Sequence, residues 1–324
     1  MPLSSIDVID RISREYYDLT TAEKKTADYV LRHPRESQFL SIAELAEESG
    51  VAEATVSRFC RRLGYKGYNA FKLAIANATA RQHAGGGENL TGQIEATDSM
   101  EDMCQKLYSA DLAAVTETLN LINTEQIRRA VRIFTEADKV LCMGQGGSML
   151  MAQEAAHLFS TVSGKFFAVS DSHMQIIATA NMTERDVLLF FSYSGATRDL
   201  MEALTVARDQ HVRIILVTRF ARSPGAEYAD LVLSCGSNES PLQLSSVPAK
   251  MAQLFLVDVL FAEYCRQDLD ACSAARERVA SALAEKHLCA DGKRICPGRS
   301  FRLKQVKFIF NRFVILHRIG GLFL

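Results

Sequence analysis

Ahead of residue 289 the sequence contains no uninterrupted apolar run of the 18 or so residues that a membrane-spanning helix needs. The opening stretch, MPLSSIDVIDRISREYY, carries acids where a secretory signal would place an apolar segment, so a cytoplasmic protein with no membrane partner is expected. Eight cysteines, at 60, 104, 142, 235, 265, 272, 289 and 296, include no Cys-x-x-Cys pair. That excludes a zinc ribbon and a thioredoxin-like dithiol; no metal site is expected, and the thiols read as reduced, small hydrophobes. Net charge is nearly absent too, at −1. The small sum hides segregation: 12 basic against 11 acidic side chains in 1–83, 17 against 26 in 84–288, and 8 against 1 in 289–324. Local charge therefore governs any encounter with nucleic acid.

What is present is material for a core. With 48% hydrophobic and 23% charged residues the composition is globular, which excludes collagen and disorder, and 324 residues leave room for about two domains. Residues 1–81 read as all-helical, with Thr20-x-x-Glu23 and Ser41-x-x-Glu44 as capping boxes and Pro34 ending the helix that carries Ala27, Val30 and Leu31. Residues 82–98 are glycine-rich and polar at their start and read as a linker. In 99–136 the apolar positions Met103, Leu107, Ala110, Leu112 and Val115, then Ile127, Val131 and Phe134, recur at helical spacing. Beyond them, short runs that are apolar throughout, at 140–143, 166–169, 187–191, 214–217 and 231–233, alternate with helical segments. Strands of that kind are covered on both faces. The fold class expected is α/β, a helical N-terminal domain followed by a doubly wound, mainly parallel five-stranded sheet over 99–285, closed by a long helix at 249–264.

Two constellations carry chemistry. In SIAELAEESGVAEATVSRFCRRLG (41–64), Gly50 occupies a turn between two helices, and Val56, Phe59, Cys60 and Leu63 fall at i, i+3, i+4, i+7 to face inward. Thr55, Ser57, Arg58, Arg61 and Arg62 are left outward, a face polar at its start and basic along its length, as a helix entering the major groove requires. From Glu53 to Arg81 six basic side chains, Lys66 among them, meet one acid. Ala52 stands where a Ser or Thr cap is expected, a loss of about 1 kcal/mol of helix stability. The alternative is an ordinary helical hairpin with a solvated basic face.

The second constellation is a pair of loops. The first strand runs into GQGGS (144–148) and the third into SYSGAT (192–197), each opening a helix. Glycine amides and Ser and Thr hydroxyls at helix N-termini on the carboxyl edge of a parallel sheet suit an anion, and the absence of lysine excludes a P-loop. Met149 stands where a dinucleotide fingerprint needs its third glycine. Tight turns without a ligand are the plainer alternative.

The helix-turn-helix with GVAEATVSRFCRRLGYKGYNAFK (50–72), GQGGS, SYSGAT and ILVTRFARSPGAEYADLVL (215–233) resembles the RpiR/MurR family of bacterial transcriptional regulators, which join a helix-turn-helix domain to a SIS (sugar isomerase) domain; the resemblance spans about residues 1–285. It implies operator DNA at Thr55, Ser57, Arg58, Arg61, Arg62 and Lys66. A phosphorylated sugar is implied at Gly146, Gly147, Ser148, Ser192, Ser194, Gly195 and Thr197, in a homodimer or homotetramer with no cofactor and no catalytic residue. Ala249-Lys250 departs from the Ser-Arg that similar chains often carry. The rival is a sugar-phosphate isomerase on the same fold, which needs a general base; Glu154, His157, His173 and Glu239 are the candidates. Residues 286–324 fit neither domain. Their basic, phenylalanine-rich composition suits a surface anchor or a nucleic-acid arm, Arg312, His317 and Arg318 interrupt a spanning helix, and a disordered extension is expected.

Overall fold

Caps and apolar stripes fix residues 8–83. In the computed structural model, which describes residues 8–83, 94, 96–237 and 246–284, six helices form here: α1 (Val8–Glu15), α2 (Thr21–Arg32), α3 (Pro34–Ser37), α4 (Ile42–Glu48), α5 (Glu53–Arg62) and α6 (Tyr68–His83). Both capping boxes are present: Thr20 Oγ1 accepts from the Glu23 amide at 3.3 Å, and Ser41 Oγ from the Glu44 amide at 3.2 Å. Pro34 stands at the start of α3, so α2 ends at Arg32. Ile12, Val30, Leu45, Val56, Phe59, Phe71 and Ile75, all at 0% exposure, share one core. α4 and α5 meet through a turn in which Gly50 has φ +62°. A 3-10 turn, Tyr16–Asp18, joins α1 to α2.

The next helices are α7 (Met100–Leu121) and α8 (Thr124–Glu136). β1 (Val140–Gly144), β2 (Phe166–Ala168), β3 (Val187–Phe191), β4 (Arg213–Thr218) and β5 (Leu231–Ser234) then form one parallel sheet in the order β2-β1-β3-β4-β5. Between them run α9 (Gly147–Ser160), α10 (Ser172–Ala180), α11 (Arg198–Asp209) and a short 3-10 turn, Pro224–Glu227; α12 (Val247–Gln267) follows. Alternate strand residues go to opposite layers. Leu141, Met143, Leu188, Phe190, Ile214 and Leu216 pack with Leu200, Ala203, Leu204 and Ala207 of α11. On the other face Phe134, Phe159 and Tyr264, from α8, α9 and α12, surround Phe166 of β2, whose ring stacks on Phe159 at 4.4 Å. Each such ring pair adds about 0.5–1.5 kcal/mol beyond its buried area. The sheet is thus doubly wound, as the all-apolar runs require. A separate unit, 161–164 with the described residues from Cys265 on, contains α13 (Leu269–Ala284).

α7 forms where the spacing implies a helix but buries little of its apolar stripe. Ala114 and Thr118 are its buried residues, whereas Leu107, Tyr108, Leu112 and Leu119 are exposed. Among the described residues no helix is long and apolar enough to cross a membrane, and no group of three or more His, Cys, Asp or Glu could hold a metal. Cys60, Cys142, Cys235, Cys265 and Cys272 are buried free thiols. Burial alone pushes Cys142 up to about 12, so it stays protonated. The expected linker core at 84–93, the tail at 286–324 and Glu239 lie outside the described residues.

Candidate functional site

The candidate recognition face is assembled by α5 and the turn after it. Val56, Phe59 and Cys60 are fully buried and Leu63 nearly so, which turns Arg58 and Arg61 to solvent, with Lys66 exposed beyond the helix end and Ser57 half-buried. Thr55 is not outward as its position suggests; it is 6% exposed. Being four residues before Phe59 it shares that residue's side of the helix, so the buried arc is wider than the four-residue stripe. Its Oγ1 accepts from Arg58 Nη2 at 3.3 Å, steadying that guanidinium. Arg62 is tethered as well: Nη1 donates to the Asp18 carbonyl at 2.8 Å and Nε lies 3.3 Å from the buried Glu23 carboxylate. Lys72 likewise donates to the carbonyls of Phe39 and Leu40. The basic face available to a partner is therefore narrower than the charge count implies. Ala52 occupies the N-cap of α5 without a side-chain hydrogen bond.

The second site is an edge. β1 and β3 are hydrogen-bonded neighbours with Gly144 level with Phe191, so the loops that follow them leave the same carboxyl edge at the point where strand order reverses. That crevice is where open α/β sheets take ligands. A Cβ on Gly144 would stand 2.8 Å from the Ser148 carbonyl oxygen and 3.0 Å from that of Phe191, so only glycine lets the turn into α9 come this close. Gly146 (φ +54°) is exposed, and Gly147 and Ser148 are half-buried in the first turn of α9. In the other loop Ser192 is 4% exposed and its Oγ accepts from the Gly195 amide at 3.2 Å, closing the turn. Ser194 is half-buried, and Thr197 is the exposed N-cap of α11 with no side-chain cap bond, which leaves its hydroxyl uncommitted to the helix. Gly195 has φ +64°, and a Cβ there would fall 2.0 Å from Ser223 Oγ, a fully buried hydroxyl with no hydrogen-bond partner. The edge therefore gathers helix-terminal amides with the Ser148, Ser194 and Thr197 hydroxyls, a donor set for an anion.

Three supports of this edge escaped the sequence pattern. Gln175 of α10, 1% exposed, donates from Nε2 to the carbonyls of Gly144 at 3.1 Å and Val169 at 2.8 Å, and its Oε1 accepts from Gln145 Nε2 at 2.8 Å. A lone amide inside the apolar run of α10 was its only signal. Arg219, following β4, donates its backbone amide to the Tyr193 carbonyl and pairs through Nη2 with Glu117 of α7 at 2.5 Å. Tyr17, from the first 3-10 turn, donates to the Ser194 carbonyl at 2.5 Å; burial pushes its phenol up to about 12.

The isomerase candidates are placed differently. Glu154 and His157 lie 3.4 Å apart on a solvent-facing side of α9. At 1.5 Å per residue His157 is about 15 Å along the helix from the Gly147 loop. His173 is exposed near the start of α10.

Comparison with known proteins agrees with both halves. Residues 6–82 match the model of the helix-turn-helix domain of the rpiR family, and residues 133–263 match that of the SIS domain. The uncharacterized HTH-type transcriptional regulator YfhH of Escherichia coli (strain K12) is 31% identical over 280 residues, 85% of this chain and 98% of that protein. HexR of the same strain, also an HTH-type transcriptional regulator, is 28% identical over 79% of this chain and 86% of its own length. The solved structure of Vibrio vulnificus NanR in complex with ManNAc-6P shares the fold, with a TM-score of 0.54 at 23% identity over 85% of this chain and 97% of that one. A helix-turn-helix followed by a five-stranded parallel SIS sheet, together with such relatives, establishes that the chain belongs to the RpiR family of transcriptional regulators.

Proposed function

We propose that this regulator binds operator DNA through α5 and senses a phosphorylated sugar at the carboxyl edge of β1 and β3. The observation that carries the reading is the presence, in one polypeptide, of an exposed basic helix face and a hydroxyl-lined anion edge. Residues 1–81 then act as the DNA-binding domain, 82–98 as the linker and 99–285 as the sensing domain with its leading helices. Ser57 and Arg58 meet base edges while Arg61 and Lys66 hold phosphates; two such phosphate contacts would give a salt slope of about −1.8 per protomer. Thr55 and Arg62 serve by fixing the helix. The amides of Gly146 and Gly147 and the hydroxyls of Ser148, Ser194 and Thr197 take the phosphate, with Ser192 and Gly195 shaping the loop. A cradle of neutral donors suits reversible binding of a phosphate monoester.

The non-enzymatic reading is supported by the place of His157, about 15 Å along α9 from the Gly147 loop, and by relatives named as regulators. A homodimer or homotetramer is supported by the exposed side chains of Leu107, Tyr108, Leu112 and Leu119 along α7, an apolar stripe that a second copy would cover. A regulator acting on DNA works in the cytoplasm. Effector binding changes operator affinity only through differential affinity for two arrangements, and a tenfold effect needs about 1.4 kcal/mol of coupling. The test is a gel-shift titration against DNA from upstream of the protein's own gene, with ManNAc-6P, glucose 6-phosphate and arabinose 5-phosphate as probes. Retardation that responds to one of them is expected. No retardation at low salt would overturn the reading, and turnover of a probe would favour the isomerase.

A further inference from the structure

The edge and the recognition helix are joined by a third element, the 3-10 turn Tyr16–Asp18. On one side Tyr17 donates its hydroxyl to the carbonyl of Ser194 in the 192–197 loop. On the other, the next residue, Asp18, accepts Arg62 Nη1 at its carbonyl at 2.8 Å, in the last turn of α5. One peptide unit thus separates a hydrogen bond to the effector loop from a hydrogen bond to the DNA-reading helix.

The segment after β4 wraps the same turn. Phe220 is 0% exposed and belongs to the helical core; its ring meets Tyr16 and Tyr17 at 5.6 Å and Tyr193 of the effector loop at 5.8 Å. Arg222 Nη1 reaches the carboxylates of Glu15 at 2.7 Å and Asp18 at 2.9 Å. Ser223, the next residue, is the group against which Gly195 is packed. The turn is therefore held at its rings and its carboxylate by the segment after β4, at the Tyr17 hydroxyl by Ser194 and at the Asp18 carbonyl by Arg62.

We propose that Tyr17 is a positioning residue that couples the 192–197 loop to α5 within a single chain, with the Tyr16–Asp18 turn as the strut. The inference rests on the regulator reading above and adds the route by which one site feels the other. Such a route has physical content because both ends bear on one packed element that cannot shift at Ser194 without shifting at Asp18. Coupling is reciprocal, so operator binding at α5 must be felt at 192–197 even with no sugar present.

That reciprocity supplies the test. Amide hydrogen exchange of peptides covering 192–197 is followed in the full-length protein with and without operator DNA, for wild type, Tyr17→Phe and Arg222→Gln. Tyr17→Phe keeps the ring packing on Phe220 and deletes only the donor. The expected result is a DNA-dependent change in exchange in the wild type that falls at least threefold in Tyr17→Phe and partly in Arg222→Gln, with operator affinity within threefold of wild type. A purely structural role would not produce that split. An undiminished change in Tyr17→Phe overturns the proposal, as does a wild type that binds DNA with no change at 192–197. If Tyr17→Phe fails to fold, Arg222→Gln decides by the same criterion. A wild type that retards no DNA removes the regulator reading, and this inference with it.

Discussion

The basic face of α5 and the carboxyl edge of the sheet are built in opposite ways. The face is a local product: Val56, Phe59, Cys60 and Leu63 turn inward within two turns of α5, and Arg58 and Arg61 project because their neighbours do not. Its working groups touch little else. The edge is a distant product, in which a glycine turn is held open by Ser223, a carbonyl by Tyr17, and a strand end by Gln175, from segments far apart in the chain. Substitution at the face should therefore cost function without stability, and substitution beneath the edge should cost both.

The largest effect that would sharpen this contrast compares two glycines of nearly equal φ. Gly195→Val places a branched side chain where even a Cβ would lie 2.0 Å from Ser223 Oγ, at φ +64°. Strain and overpacking together should destabilise by at least about 3 kcal/mol. Gly50→Ala, at φ +62° with nothing within 4 Å of the added Cβ, should cost only the backbone term of about 1–2 kcal/mol. Denaturant unfolding of both variants measures the gap, and equal losses would break the comparison.

Gln175→Leu comes next. It removes both donors to the Gly144 and Val169 carbonyls and leaves the Gln145 amide without its partner, in a site 1% exposed. A loss of about 2–3 kcal/mol is expected, from buried acceptors left unpaired. Arg58→Ala is its counterpart on the face. Stability should stay within about 0.5 kcal/mol, because an exposed side chain is removed, while operator binding weakens by about 1–3 kcal/mol if the guanidinium reads a base. Unfolding midpoints and gel-shift affinities on both proteins would show the two losses trading places. A stability loss in Arg58→Ala as large as that in Gln175→Leu would erase the distinction.

The same contrast explains what was legible in the sequence. The capping boxes at Thr20 and Ser41, the stop at Pro34, the inward stripe of α5 and five strands placed to within a residue or two all depend on neighbours a few positions away. The doubly wound sheet follows from runs that had to be covered on both faces. Errors arose where a residue's fate was settled elsewhere. Thr55 went inside because the buried arc of α5 also includes the flank beside Phe59. Arg62 is exposed, as its spacing implies, yet its bond to the Asp18 carbonyl 44 positions away has no local signal. Leu107 and Leu112 gave α7 a regular stripe, yet periodicity cannot say whether a stripe meets its own sheet or something beyond the chain. Nothing local to Tyr17 points to a carbonyl 177 residues away.

The smallest effect tests whether the face is as locally determined as it looks. α5 begins at Ala52, whose φ of −79° and ψ of 150° are already those of a capping residue, but whose side chain offers no acceptor to the first-turn amides. Ala52→Ser supplies that acceptor without altering the backbone or any buried group, since Ala52 is exposed. A gain of about 0.5–1 kcal/mol is expected, read as a higher unfolding midpoint. Operator affinity should move in the other direction or not at all: an uncapped helix start leaves its amides open to a phosphate, and a serine hydroxyl that satisfies one of them competes for that contact. A variant that is both more stable and tighter on DNA would mean that the cap orders the helix for docking, and that the bare amides of α5 take no part in holding the backbone.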